Sequence, residues 1–169
     1  MFNTRKIIIL SLALTIILAC AACKANNAAD TDNGKDESNS AQLANPFITC
    51  DTLAEAEEIA GFTMSIPDSL ADFDQNMIQP VDKSMIQVFY GNDRQILVRK
   101  GTGTEDISGV YTEYSVTKTF DVSGSTVTHK GNGDSINLAV WTRDGYSYSV
   151  YAESGLSESE MILIVESVQ

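Results

Sequence analysis

Two cysteines behind a short apolar run carry the most definite chemistry in this chain. Ile17-Leu18-Ala19-Cys20-Ala21-Ala22-Cys23 follows Arg5, Lys6 and the stretch Ile7 to Ala19, broken only by Ser11 and Thr15. A thiol placed after small residues at the end of such a run suits thioether attachment of a diacylglycerol, with the chain cut just before the modified cysteine. A spanning helix needs about 20 apolar residues, so the run reads as a removed signal of the bacterial lipoprotein kind. Cys20 has the bulky Ile17 three positions back and is the expected lipidation site. Cys23 has Cys20 at that place but is preceded by Ala21-Ala22, and is the alternative. Two acyl chains anchor stably where one binds only marginally. The expected location is the extracytoplasmic face of the cell membrane, with the membrane itself as partner through the anchor.

The other reactive side chains do not assemble into a catalytic set. Cys50 is the one thiol beyond the signal region, so no disulfide framework is expected. It precedes a helix start, where a thiolate would be favoured, yet the single histidine, His129, is far away in sequence. Zinc needs several nitrogen or sulfur ligands, and one histidine without a cysteine pair offers no such site. Asp72, Asp74 and Asp82 are not spaced as a calcium loop. Gly101-Thr102-Gly103-Thr104-Glu105-Asp106 lacks the third glycine and the lysine of a phosphate loop. No serine sits in a Gly-x-Ser-x-Gly elbow, the setting of one class of activated serine. The expectation is a protein that is no enzyme, with no catalytic residue, metal or cofactor. Trp141, Tyr146 and Tyr148 are the candidate ligand contacts, since clustered aromatics can hold a sugar ring, a peptide or a lipid tail.

Composition narrows the partners. The formal net charge is −12 and the isoelectric point is near 4.3. Loss of Arg5 and Lys6 with the signal makes the mature chain more negative still. Such acidity repels nucleic acid and anionic headgroups, and no basic patch alternates with aromatics. No nucleic-acid partner is expected.

The elements that must position these residues are legible in outline. Residues 1–19 form the signal. Residues 20–45 are a tether dominated beyond Lys24 by Asn, Ala, Asp, Ser, Lys and Gln, too polar to offset the entropy of ordering. A flexible chain of that length reaches roughly 25 Å on average. Residues 46–169 suffice for a single domain. Thr52-Leu53-Ala54-Glu55 fits a capping box, with Gly61 as the stop. Ser157 and Glu160 repeat the pattern ahead of the stripe Met161, Ile164, Val165 and Val168.

Between these ends the apolar period falls towards two and turn dipeptides recur. Ser123-Gly124, Asn132-Gly133 and Asp144-Gly145 read as two-residue hairpin turns. Counting from them puts Phe120, Val127, Leu138 and Tyr151 in one apolar row. His129 falls on that core side. Trp141, Tyr146 and Tyr148 fall on the more polar face, with Trp141 over Gly124. The Gly131-Asn132-Gly133-Asp134 run is the weak point of the count, because it could host a longer loop. Met85 to Tyr90 and Gln95 to Lys100 read as another hairpin around Asn92-Asp93, with weaker strands at Phe62 to Ile66 and Met77 to Val81. The expected fold class is α+β: an antiparallel meander sheet of about six or seven strands, with an N-terminal and a C-terminal helix packed on one face.

Several segments together resemble the domain-of-unknown-function family numbered 4367. They are Asn45-Pro46-Phe47 with Asp51-Thr52-Leu53-Ala54-Glu55-Ala56 and Ala60-Gly61-Phe62; Arg99-Lys100-Gly101 with Glu105-Asp106-Ile107-Ser108-Gly109; and Asn137-Leu138-Ala139-Val140-Trp141-Thr142 with Gly145-Tyr146-Ser147-Tyr148. Leu156-Ser157 and the apolar last helix close the match. The resemblance implies an extracytoplasmic domain of Gram-positive bacteria, found in lipoproteins and attached to some anti-sigma regulators. It assigns no catalytic residue. The expected function is a tethered, non-enzymatic binding or sensing module for an envelope ligand or protein. The alternative is a carrier of an apolar ligand held between sheet and helices over the Phe120, Val127, Leu138 row; a hydrolase comes third.

Overall fold

A computed structural model describes residues 44–169. The expected signal, the lipidation sites Cys20 and Cys23, and almost all of the tether lie outside the described residues.

Helix α1 spans Leu53–Ala60 and helix α2 spans Glu158–Ser167. Thr52 caps α1 by accepting from the Glu55 amide at 3.2 Å. The reciprocal half of the box goes to the neighbouring residue, since Glu55 accepts from the Asp51 amide. Gly61 ends the helix at φ 77°, a left-handed conformation that glycine adopts without strain. In α2 both halves of the box form between Ser157 and Glu160. Met161, Ile164, Val165 and Val168 are all buried, as their spacing requires.

The sheet has eight strands rather than six or seven: β1 Ser69–Leu70, β2 Phe73–Val81, β3 Met85–Tyr90, β4 Ile96–Thr102, β5 Val116–Val122, β6 Ser125–Asn132, β7 Ser135–Arg143 and β8 Tyr146–Leu156. The order is β1-β2-β3-β4-β8-β7-β6-β5, and every pairing is antiparallel. Two four-strand meanders are thus joined along β4 and β8. Phe62 to Ile66, expected as a strand, is a loop instead; Met77 to Val81 is the second half of the longer β2. The helices are also spread further apart than expected. Helix α1 lies against β2 and β3, and α2 against β5, β7 and β8.

Residues directly opposite in an antiparallel pair share a face. One row therefore crosses seven strands: Ile78, Val88, Val98, Val150, Ala139 and His129, ending at Lys118. The first six are buried, and all of them except His129 belong to the apolar core together with the buried residues of both helices.

The β5–β6 and β7–β8 turns fall at Ser123-Gly124 and Asp144-Gly145, as counted. The β6–β7 turn does not. Asn132 pairs with Ser135, so the turn is Gly133-Asp134, and the register then shifts between Lys130 and Gly131. Leu138 consequently pairs with Lys130 instead of Val127 and faces away from the α1–α2 core. The same shift brings Ala139 and Trp141 onto the core side, which reverses the expected placement of Trp141, Tyr146 and Tyr148.

The second face is crossed by the β4–β5 connection, residues 103–115. Arg99 secures it. Its Nη1 donates to the carbonyls of Ile107 and Ser108, and its Nε donates to Gln87 Oε1 at 3.0 Å. Gln87 donates on to Gln79, and Gln79 to Thr49. Asp106 lies 3.8 Å from Lys130 across the same face.

Candidate functional site

The β7–β8 hairpin and the end of β4 build a cleft from the row next to the core row. Ile86, Lys100, Tyr148 and Trp141 stand in register across β3, β4, β8 and β7, and Thr102, Tyr146 and Arg143 form the row beyond. Towards the turn this face is no longer filled by helix. Thr63, Met64, Ser65 and Gln169 wall it instead, and Ser65 and Gln169 exchange backbone hydrogen bonds of 2.7 and 2.9 Å. The resulting cleft holds about 550 Å³ and is lined further by Lys100, Arg143, Asp144, Tyr146 and Tyr148.

Lys100 is 7% exposed, although it carries a charge. Its Nζ donates to the Thr63 carbonyl at 2.8 Å. The ammonium also lies 4.6 Å from the Tyr146 ring centre, 5.3 Å from Tyr148 and 5.7 Å from Phe62. Aromatic faces are electron-rich and attract a cation at this range. Arg143 adds a second cation 5.4 Å from the Tyr148 ring, with Nη2 donating to the Val168 carbonyl at 2.8 Å. Phe62 leans on Tyr146 at 5.1 Å between ring centres.

Of the three aromatic candidates, Tyr146 and Tyr148 line the cleft and Trp141 does not. Trp141 lies behind Tyr148, 4% exposed, with rings 5.1 Å apart and nearly parallel at 6°. It does not cover Gly124, beside which a methyl group would meet nothing within 4 Å. Its indole Nε1 is buried without a hydrogen-bond partner. Lys100 and Arg143 escaped the sequence reading. The available signal was a charge at an inward position: Lys100 continues the Ile96, Val98 alternation, and Arg143 continues Ala139, Trp141.

The remaining reactive groups lie elsewhere. Cys50 is buried, and desolvation together with Glu55 and Asp51 raises its thiol pKa. That opposes the thiolate which a helix start alone would favour. His129 is fully buried, with neither ring nitrogen partnered, and packs 4.8 Å from the Phe120 ring. Burial lowers its pKa against a smaller opposing pull from Glu158. Among the described residues no group of three His, Cys, Asp or Glu side chains could hold a metal ion, and no helix is long and apolar enough to cross a membrane.

The family described as Domain of unknown function (DUF4367) matches residues 66–168, so the chain belongs to that family. No curated protein and no solved structure matches it.

Proposed function

We propose that this member of the DUF4367 family is a lipid-anchored, extracytoplasmic binding module that acts without catalysis. Its contact surface is the cleft at the β7–β8 hairpin. The observation that carries this reading is the open space of about 550 Å³ beside Tyr146 and Tyr148. The anchor rests on the signal pattern that ends at Cys20 and Cys23. Two groups support the non-catalytic part of the reading. His129 and Cys50 are both buried, and neither lines the cleft. The apolar-carrier reading is weaker, because its Phe120, Val127, Leu138 row is divided between the two faces of the sheet.

Two measurements test the proposal. Cells fed a clickable fatty acid should label the wild-type chain and one, but not the other, of Cys20→Ala and Cys23→Ala. Label retained when both are replaced together refutes the anchor. Tyr146→Ala should weaken binding to isolated envelope material, and Tyr146→Leu, which keeps an apolar body against Phe62, should weaken it too with a smaller loss of melting temperature. A folded variant that binds equally well removes the cleft from the account.

A further inference from the structure

The cleft gathers two cations, Lys100 and Arg143, that make no close ion pair among the described residues, with Asp144 the one acidic side chain in its wall. Among the described residues the ion pair within 4.0 Å is Lys130 with Asp106, and neither Lys100 nor Arg143 has a carboxylate at that distance. Burying an ammonium without a counter-charge is costly. One carbonyl and three ring faces offset only part of that cost. Lysine has three N–H donors and arginine five; Lys100 and Arg143 each give one to a backbone carbonyl in the cleft wall. The remaining donors stand beside a cavity, in a chain whose formal charge is −12. A buried lysine and a half-buried arginine on an otherwise acidic body make this opening a place where an anion finds positive charge.

We infer that the cleft binds the oxyanion of a small ligand, a carboxylate or phosphate group held between Lys100 and Arg143. Asp144, exposed at the rim next to Arg143, opposes a second negative charge. The acceptable ligand therefore concentrates its charge in one group and leaves an uncharged body against the half-buried Tyr146 ring. A planar arginine fork can engage two oxygens of such a group while the lysine supplies a point charge. This inference rests on the binding-module reading and adds the chemical class of its ligand.

Trp141 is the single tryptophan of the chain. It is stacked on Tyr148, whose ring faces the Lys100 ammonium, so its emission reports on the cleft. The full-length chain in detergent is titrated at fixed ionic strength with inorganic phosphate, with glucuronate and with uncharged glucose. Saturable emission changes with phosphate or glucuronate are expected, and which of them saturates assigns phosphate or carboxylate. Lys100→Met and Arg143→Gln should each raise the dissociation constant at least tenfold. Circular dichroism establishes that each variant is folded; if Lys100→Met is not, the half-buried Arg143 still decides the matter. Unchanged affinity in folded Arg143→Gln, or no saturation by either anion, overturns the assignment. If the anions fail while envelope material still binds in a Tyr146-dependent way, only the ligand class falls. If that binding is absent too, the module reading falls with it.

Discussion

Replacing Gly131 with alanine tests the β6–β7 register that puts Trp141 on the core side of the sheet and Leu138 on the other. Gly131 sits at the shift between β6 and β7, where its missing side chain lets the two backbones close. A methyl group there would overlap the Ser135 carbonyl oxygen and stand 2.9 Å from both the Ser135 carbonyl carbon and the Ile136 Cα. All three are backbone atoms, so no flexible side chain can move aside. Gly131 has no positive φ, and the whole cost is contact. Forced overpacking costs about 1–3 kcal/mol, and backbone obstruction belongs at the upper end, about 3 kcal/mol. Gly133 is the control. It has φ 61° and nothing within 4 Å, so Gly133→Ala bears only the left-handed penalty, about 1–2 kcal/mol. Urea unfolding should give Gly131→Ala the lower midpoint. Its melting temperature should fall by about 10 °C at roughly 4 °C per kcal/mol for a domain of this size. A Gly131→Ala domain as stable as Gly133→Ala refutes the bulge.

Three further outcomes follow from packing. Trp141→Ala should cost about 3–5 kcal/mol of stability, measured by urea unfolding, because Trp141 is a buried stacked ring and not a surface contact. In His129 the folded pKa is lowered below its ordinary 6.5, so the unfolded chain takes the proton first. The neutral ring's contribution is whole above about pH 6.5 and declines as pH falls towards the lowered value; His129→Phe should remove this loss between pH 7 and 5.5, seen as a flatter urea midpoint against pH. Arg99→Met should release residues 103–115, with loss of about 2–4 kcal/mol and faster hydrogen exchange in that segment before any in β7; Arg99→Lys should restore little, because an ammonium cannot span the same carbonyls.

The features legible in the sequence were those specified by neighbours along the chain. Ser157 and Glu160, Thr52 and Gly61, and two of the three turn dipeptides fix local geometry through hydrogen bonds or φ preference. The α2 stripe was legible because four apolar residues recur at helical spacing. The β6–β7 register was not, because Asn132-Gly133 and Gly133-Asp134 are both competent turns, and a close backbone approach at Gly131 decides between them. A shift there changes the face of everything that follows, which is why Leu138 and Trp141 exchanged sides. Half of the cleft was hidden for a different reason. Lys100 meets Tyr148 only because β4 pairs with β8, and no short-range pattern announces that pairing. The strap over the second face was visible as a Gly-rich polar loop, but its anchor on Arg99 was not.

The seam between β4 and β8 has a kinetic meaning. Within each meander every strand finds its partner through an adjacent hairpin, and such short loops close in microseconds. Ile96 to Thr102 can meet Tyr146 to Ala152 only after the chain between them has been gathered in. Loop-closure entropy therefore falls on this one zipper, and folding rates should respond most to substitutions along it.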